Sequence, residues 1–260
     1  MGAMVSLTRP TPTRSSDPLT ALCQRSQNAG ALPLLTWYHG ADRGELSART
    51  LLTWVTKSVY LLDSEGVEPG GVSRLSVCGA HPGHWTSCVW FLASWWAGLR
   101  VDLTGQEEAA LEVIGPDVSP DVLIQCSLAP LATACETLVS GAIDNADVLA
   151  APDDLVAARP AAANAVWLTG RQEWTGEQLF GLVPLSQPVL LSPDRIRLGG
   201  SELVATTLTS CLLGGGSLVL VESTDNLATI AAQEGAVDDE ISRLRDRLNR
   251  REIQLPSSCA

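Results

Sequence analysis

From Leu32 onward, short apolar runs alternate with stretches whose apolar residues recur every three or four positions. Leu34-Leu35-Thr36-Trp37-Tyr38 predicts a strand. After it, Leu51, Val55, Val59 and Leu62 fall on one helical stripe, with Ser47 placed to cap that helix and Gly66 to end it. Val72 to Cys78 predicts a second strand. A helix opening at Pro82 carries Trp85, Val89, Leu92 and Trp96 and closes at Gly98, and Leu99 to Leu103 returns as a strand. Thr104 and Glu107 have the spacing of a capping box, which predicts a short helix through Glu112. Asp121 to Cys126 predicts a strand and Leu128 to Val139 a helix.

Beyond these, Asn145 to Ala163 is rich in Ala, Asp and Pro and predicts a loop or partial boundary. Ala165 to Leu168 predicts a strand, and Thr175 with Gln178 the cap of a short helix. Ser201 reads as the N-cap of a helix carrying Val204, Leu208, Cys211 and Leu212. Gly214-Gly215-Gly216 reads as its C-terminal turn, followed by the apolar strand Ser217 to Val221 and a last βα unit through Gln233.

Strands alternating with helices imply parallel pairing through right-handed crossovers. Apolar strands imply cover on both faces. The expectation is an α/β fold: a mainly parallel sheet flanked by helices. The organisation read from composition is a disordered tail over residues 1–30, the α/β domain over 31–236 with a sub-boundary near 145–163, and a charged helix and tail over 237–260. In that last segment Ile241, Leu244 and Leu248 share one face. This predicts a solvated terminal helix, or alternatively self-association through it.

The charge balance narrows the partners. Seventeen basic residues face 29 acidic ones, for a net charge of −12. Nucleic-acid binding draws on cations that displace counterions, and anionic membrane surfaces attract polybasic segments, so neither partner is expected. The seven cysteines form no C-x-x-C pair and mostly sit in apolar runs. They predict reduced core thiols in a cytoplasmic protein, without a zinc site or a disulfide framework. Lys57 is the one lysine; every other basic residue is arginine.

Leu34 to Leu103 resembles the opening of the adenylate-forming (AMP-binding, acyl-CoA synthetase-like) superfamily. The similarity lies in an order of features: a strand ending in Trp37-Tyr38, the helix from Leu46 through Leu62, the turn Gly66-Val67-Glu68-Pro69-Gly70-Gly71-Val72 where the family has G-x-x-P-G-D-x-V, and a buried helix ending Trp95-Trp96-Ala97-Gly98-Leu99. Leu203 to Val221, with Leu212-Leu213-Gly214-Gly215-Gly216-Ser217-Leu218-Val219-Leu220, resembles a later helix and strand of the same family. The nearest resemblance is to a short actinobacterial group of AMP-binding-enzyme-like proteins, and arginine-over-lysine usage agrees with a high-GC source.

The resemblance implies a truncated amino-terminal domain of such an enzyme, with ATP or AMP as the ligand to test for. The departures from the family pattern point away from catalysis. The family's Gly/Ser/Thr-rich phosphate loop carries a lysine; residues 126–200 hold no such run and no lysine, and Gly71 replaces the aspartate of the P-G-D turn. The family's later motifs would lie past residue 260. The resulting expectation is a non-catalytic protein that binds a partner or small ligand; the alternative is a carboxylate-activating ligase with a degenerate phosphate loop.

The candidate ligand site is Thr169, Gly170, Arg171, Thr175 and Gly176. They follow a strand and precede a helix, where backbone amides and one cation can meet an anion. Glu173 opposes this, and a tight turn with Thr175 as a cap accounts for the same residues. No catalytic residue is assigned, since there is no G-x-S-x-G elbow. No metal site is assigned either: His81 and His84 are close in sequence but lack a third ligand nearby. His39 is expected exposed at a strand end. Trp85, Trp90, Trp95 and Trp96 span more than half the circumference of one helix, which predicts core packing with an exposed edge, or alternatively an apolar contact surface.

Overall fold

The computed structural model describes residues 17–116, 122–224 and 226–236. The chain enters through helix α1 (Pro18–Asn28). Asp17 caps it by accepting the amides of Leu19 and Thr20 at 3.0 and 2.8 Å, and Leu19, Ala21 and Leu22 are buried. From residue 17 on, this corrects the expected disordered tail over 1–30; residues 1–16 lie outside the described residues. The polar composition that suggested disorder hides a two-leucine stripe that docks on later helices.

Strands β1 (Pro33–His39) and β2 (Asp42–Ser47) form an antiparallel hairpin. Helix α2 (Ala48–Ser64) follows, capped as expected by the Ser47 hydroxyl, which accepts the Thr50 amide; Leu51, Val55, Val59 and Leu62 are all buried. Strand β3 (Val72–Leu75) is shorter than expected, because the chain from Ser76 turns into helix α3 (Ser76–Ala80). Helix α4 (Trp85–Trp96) and strand β4 (Arg100–Asp102) come next.

The predicted helix over 104–112 is not formed. Asp102 accepts the Thr104 amide and hydroxyl and the Glu107 amide, at 2.7, 2.6 and 3.1 Å. A short aspartate side chain outcompetes the capping box by binding the nearby backbone itself. The chain then enters strand β5 (Leu111–Ile114). Strand β6 (Ile124–Gln125) and strand β7 (Ile143–Asp144) follow. The predicted helix over 128–139 between them is also absent. Leu128 and Ala132 have positive φ, at 59° and 48°, and Gln125 and Ser127 take up local backbone groups, among them the Thr137 carbonyl, the Val139 amide and the Thr133 carbonyl.

A 3-10 turn (Asn145–Ala150) opens the Ala/Pro-rich stretch. Strands β8 (Val166–Thr169) and β9 (Glu173–Thr175) form a second antiparallel hairpin, followed by helix α5 (Gly176–Phe180). Strand β10 (Val189–Leu191), helix α6 (Pro193–Gly214), strand β11 (Leu218–Ser223) and helix α7 (Leu227–Glu234) complete the described chain. Residues 237–260, where a charged helix was expected, lie outside the described residues.

The strands assemble into two sheets. One has the order β10-β11-β1-β2, the other β7-β6-β5-β3-β4-β8-β9. All neighbours are parallel except the two hairpins. Each hairpin puts its later strand, β2 or β9, at a sheet edge.

Helix α4 touches both sheets through β1, β3 and β4, and also packs on α2 and α6. All twelve of its residues are buried. The expected exposed edge of this helix, and the contact surface built on it, are thereby corrected: with partners on every side, an all-round apolar helix belongs at the centre. Two of its four indoles find backbone partners: Trp95 Nε1 donates to the Trp167 carbonyl at 2.9 Å and Trp96 Nε1 to the Val156 carbonyl at 2.8 Å. No helix among the described residues is long and apolar enough to cross a membrane.

Candidate functional site

Open α/β sheets present ligands at the carboxyl ends of their parallel strands. Two features lie there: the turn between β8 and β9, and a cleft beside β11.

The turn contains the residues singled out from sequence. Thr169 closes β8, and its hydroxyl is buried with no hydrogen-bond partner among the described residues. The Gly170 amide donates to the Gln172 carbonyl at 3.0 Å. The Arg171 amide donates to Glu202 Oε2 at 2.6 Å, and Trp174 Nε1 donates to Glu202 Oε1 at 2.9 Å. The Arg171 guanidinium turns onto the Leu198 carbonyl.

Thr175 and Gln178 form the expected capping box: the Gln178 amide donates to Thr175 Oγ1 at 3.2 Å and the Thr175 amide to Gln178 Oε1 at 2.8 Å. The next amides are also taken, Gly176 by the Ala165 carbonyl at 3.1 Å and Glu177 by the Ala163 carbonyl at 2.7 Å. The structure therefore brings the five predicted residues together, and it satisfies the amides of Gly170, Arg171, Thr175 and Gly176 from within the chain.

Glu202 is the residue that sequence reasoning missed. A carboxylate at the start of a helix reads as surface charge, and the one local signal was the Gly199-Gly200 pair before it. Gly200 has φ 61° and ψ −159°, a break inside α6 that favours glycine. Interrupting a helix frees carbonyls of the preceding turn, and Leu198's is the one Arg171 takes. Ser201 was expected to cap the helix restarting here; its hydroxyl instead donates to the Cys78 carbonyl at 2.6 Å. That bond pins the broken helix to α3.

On the other side of Gly200 lies a cleft of about 400 Å³, bounded by the α3–α4 link at His81 and Gly83, by Ile196 and Arg197 of α6, and by Glu222 of β11. Glu222 accepts Trp37 Nε1 at 2.9 Å and stands 3.4 Å from Nδ1 of His39, whose side chain is 58% exposed. His84 is buried and serves as N-cap of α4, its Nδ1 accepting the Thr86 amide at 3.3 Å. Burial, with His81 close by, pushes the His84 imidazole down to about 3, so it stays neutral. Among the described residues no group of three His, Cys, Asp or Glu is arranged to hold a metal.

Lys57 is used structurally: Nζ lies 2.9 Å from Asp153 and 3.2 Å from the Leu149 carbonyl. The described cysteines are all free thiols. Burial pushes Cys78 up to about 12 and Cys88 well above its ordinary value, which keeps both unreactive.

No protein-family model matches this sequence, and no curated protein is similar to it. Solved structures are similar in fold. Over 85% of this chain and 46% of the other, it superposes on an acyl-CoA synthetase from Brucella canis with TM-score 0.63 at 17% identity. An acetoacetyl-CoA synthetase from Streptomyces lividans gives 0.65 at 16% identity, over 85% of this chain and 41% of that one. A benzoate CoA ligase from Burkholderia xenovorans gives 0.56 at 14%, over 84% and 47%. The chain spans about half the length of these enzymes. It has the α/β fold of part of an acyl-CoA synthetase.

Proposed function

We propose that this chain is a non-catalytic protein that uses an adenylate-forming scaffold to bind a small ligand or a protein partner at the carboxyl edge of its sheets. The reading is carried by the state of the β8–β9 turn. A phosphate loop works by aiming free amides and a cation at its ligand. Here the amides of Gly170, Arg171, Thr175, Gly176, Glu177 and Gln178 each donate within the chain. The loop's cation is spent on the Leu198 carbonyl, and a carboxylate stands where a phosphate would have to enter. Arginine-over-lysine usage supports placing the protein in the short actinobacterial group, and the free thiols of the six described cysteines support a reducing, cytoplasmic setting.

The test is carboxylate-dependent ATP–pyrophosphate exchange over a panel of acids, with calorimetry of ATP and AMP on the wild type and on Arg171→Ala. No exchange is expected, and Arg171→Ala tests whether any nucleotide affinity runs through the turn's one cation. Robust exchange with any acid overturns the reading; nucleotide binding that Arg171→Ala leaves unchanged would place the ligand outside this turn.

The second reading is a carboxylate-activating ligase with a degenerate phosphate loop. The observation that favours it is the cleft beside Glu222, open at the same sheet edge. That reading requires measurable exchange despite the filled turn.

A further inference from the structure

We infer that the β8–β9 turn is a carboxylate cradle whose built-in occupant is Glu202, and that a small external carboxylate takes the same donors once Glu202 is withdrawn. The inference rests on reading this turn as an occupied loop and goes on to say what occupies it and what can replace it.

The two oxygens of Glu202 are each met by one donor of a different kind, Oε2 by the Arg171 amide and Oε1 by the Trp174 indole. One donor per oxygen is how a fixed site recognises a planar carboxylate. The Arg171 amide belongs to the hairpin's turn, and the Trp174 ring packs against the hydrophobic core. Leu168 pairs with Trp174 and Thr169 with Glu173 across β8 and β9, and the Gly170 amide closes the turn on the Gln172 carbonyl. The cradle therefore has a shape of its own. Gly170 completes it, since a Cβ there would run into the Glu202 carboxylate.

The occupant follows directly on a break in α6. Glu202 comes two residues after the break at Gly200, so the α6 segment before the break and the one carrying Glu202 are joined by a non-helical residue. Gly200 also lines the cleft beside Glu222. Anything seated in that cleft touches the joint that positions the occupant.

The experiment is chemical rescue. Glu202→Ala is expected to lower Tm. Millimolar acetate or formate is expected to recover most of that loss with saturation, as a ligand of the native state must, while matched chloride does not. The wild type is expected to respond to acetate no more than to chloride, and Glu202→Ala/Trp174→Phe to lose the rescue. The Trp174 indole proton, followed by NMR, should shift in Glu202→Ala and return on adding acetate. Rescue equal to that by chloride, or rescue that survives Trp174→Phe, overturns the inference.

Should Glu202→Ala fail to fold, the near-isosteric Glu202→Gln keeps the question open to test. Its amide can accept at only one oxygen, so the Arg171 amide or the Trp174 indole should exchange about tenfold faster than in the wild type. Unchanged exchange at both overturns the inference. ATP–pyrophosphate exchange by the wild type would sink the non-catalytic reading without touching the rescue result, and failed rescue would sink the cradle without producing exchange.

Discussion

Trp95 and Trp96 are neighbours on α4, buried to 1% and 2% exposure, and each indole donates to one backbone carbonyl. Substituting either with Ala removes an indole from the core and should cost about 3–5 kcal/mol, a large part of the roughly 5–15 kcal/mol that holds such a domain together. Phenylalanine is the more informative change, because it keeps a ring and deletes the donor.

The loss of ring volume is the same at both positions and largely cancels in a comparison. What differs is the carbonyl left behind. That of Trp167 lies in β8, in a fully buried bond, whereas the bond to the Val156 carbonyl is only partly buried, so water can take the donor's place there. A buried carbonyl that loses its donor keeps the desolvation penalty. Trp95→Phe should therefore be less stable than Trp96→Phe by about 1 kcal/mol, or about 2–4 °C in Tm for a domain of this size. Urea unfolding followed by circular dichroism measures this, with unchanged m-values as the check that both variants unfold from comparable states. A Trp96→Phe variant equal to or less stable than Trp95→Phe would refute the assignment of the buried carbonyl.

Three further outcomes are expected. Gly98 has φ 81° and a Cβ there would run into the Arg159 carbonyl, while Gly66 has φ 74° in open space; Gly66→Ala should cost only the backbone strain of about 1–2 kcal/mol, and Gly98→Ala clearly more, as read by thermal unfolding. In the native protein at mildly alkaline pH, a thiol reagent should modify Cys23 and Cys135 before the buried Cys78, Cys88, Cys126 and Cys211, and peptide mass spectrometry finding Cys88 labelled first would contradict the packing of α4. His84 is held near 3 in the fold against 6.5 when unfolded, so its contribution is fully present above about pH 6.5 and is lost as pH falls toward 3, at up to about 1.4 kcal/mol per unit. His84→Asn keeps a capping acceptor and should flatten the wild-type stability loss between those limits in urea titrations; an unchanged slope would show that His84 is charged in the fold.

Local pattern was enough for β1, α2, α4, α6 from Ser201 onward, and β11. In each, the apolar spacing is long or dense enough that one periodicity wins, and caps such as Ser47 and Thr175 act within three residues of the groups they satisfy. It was also enough to expect the family's fold and to place the candidate turn at a strand end. The pattern failed where a nearby polar side chain competed for the same backbone, as Asp102 did against the Thr104–Glu107 box and Gln125 did across the predicted helix at 128–139.

What only the tertiary structure decided involves residues far apart in the chain. Leu35 pairs with Leu218, joining the beginning and end of the described chain in one sheet, and nothing in either strand's own alternation names its neighbour. The burial of α4 on every side depends on two sheets and two helices closing around it, so an all-round apolar helix could be read as a surface until its partners were in place. The turn that looked open to an anion is filled by a carboxylate 31 residues further along. Sequence determines which groups can donate and accept, but which of them meet is settled by the chain's return path, because hydrogen bonds are made across space and the code for local structure is written along the chain.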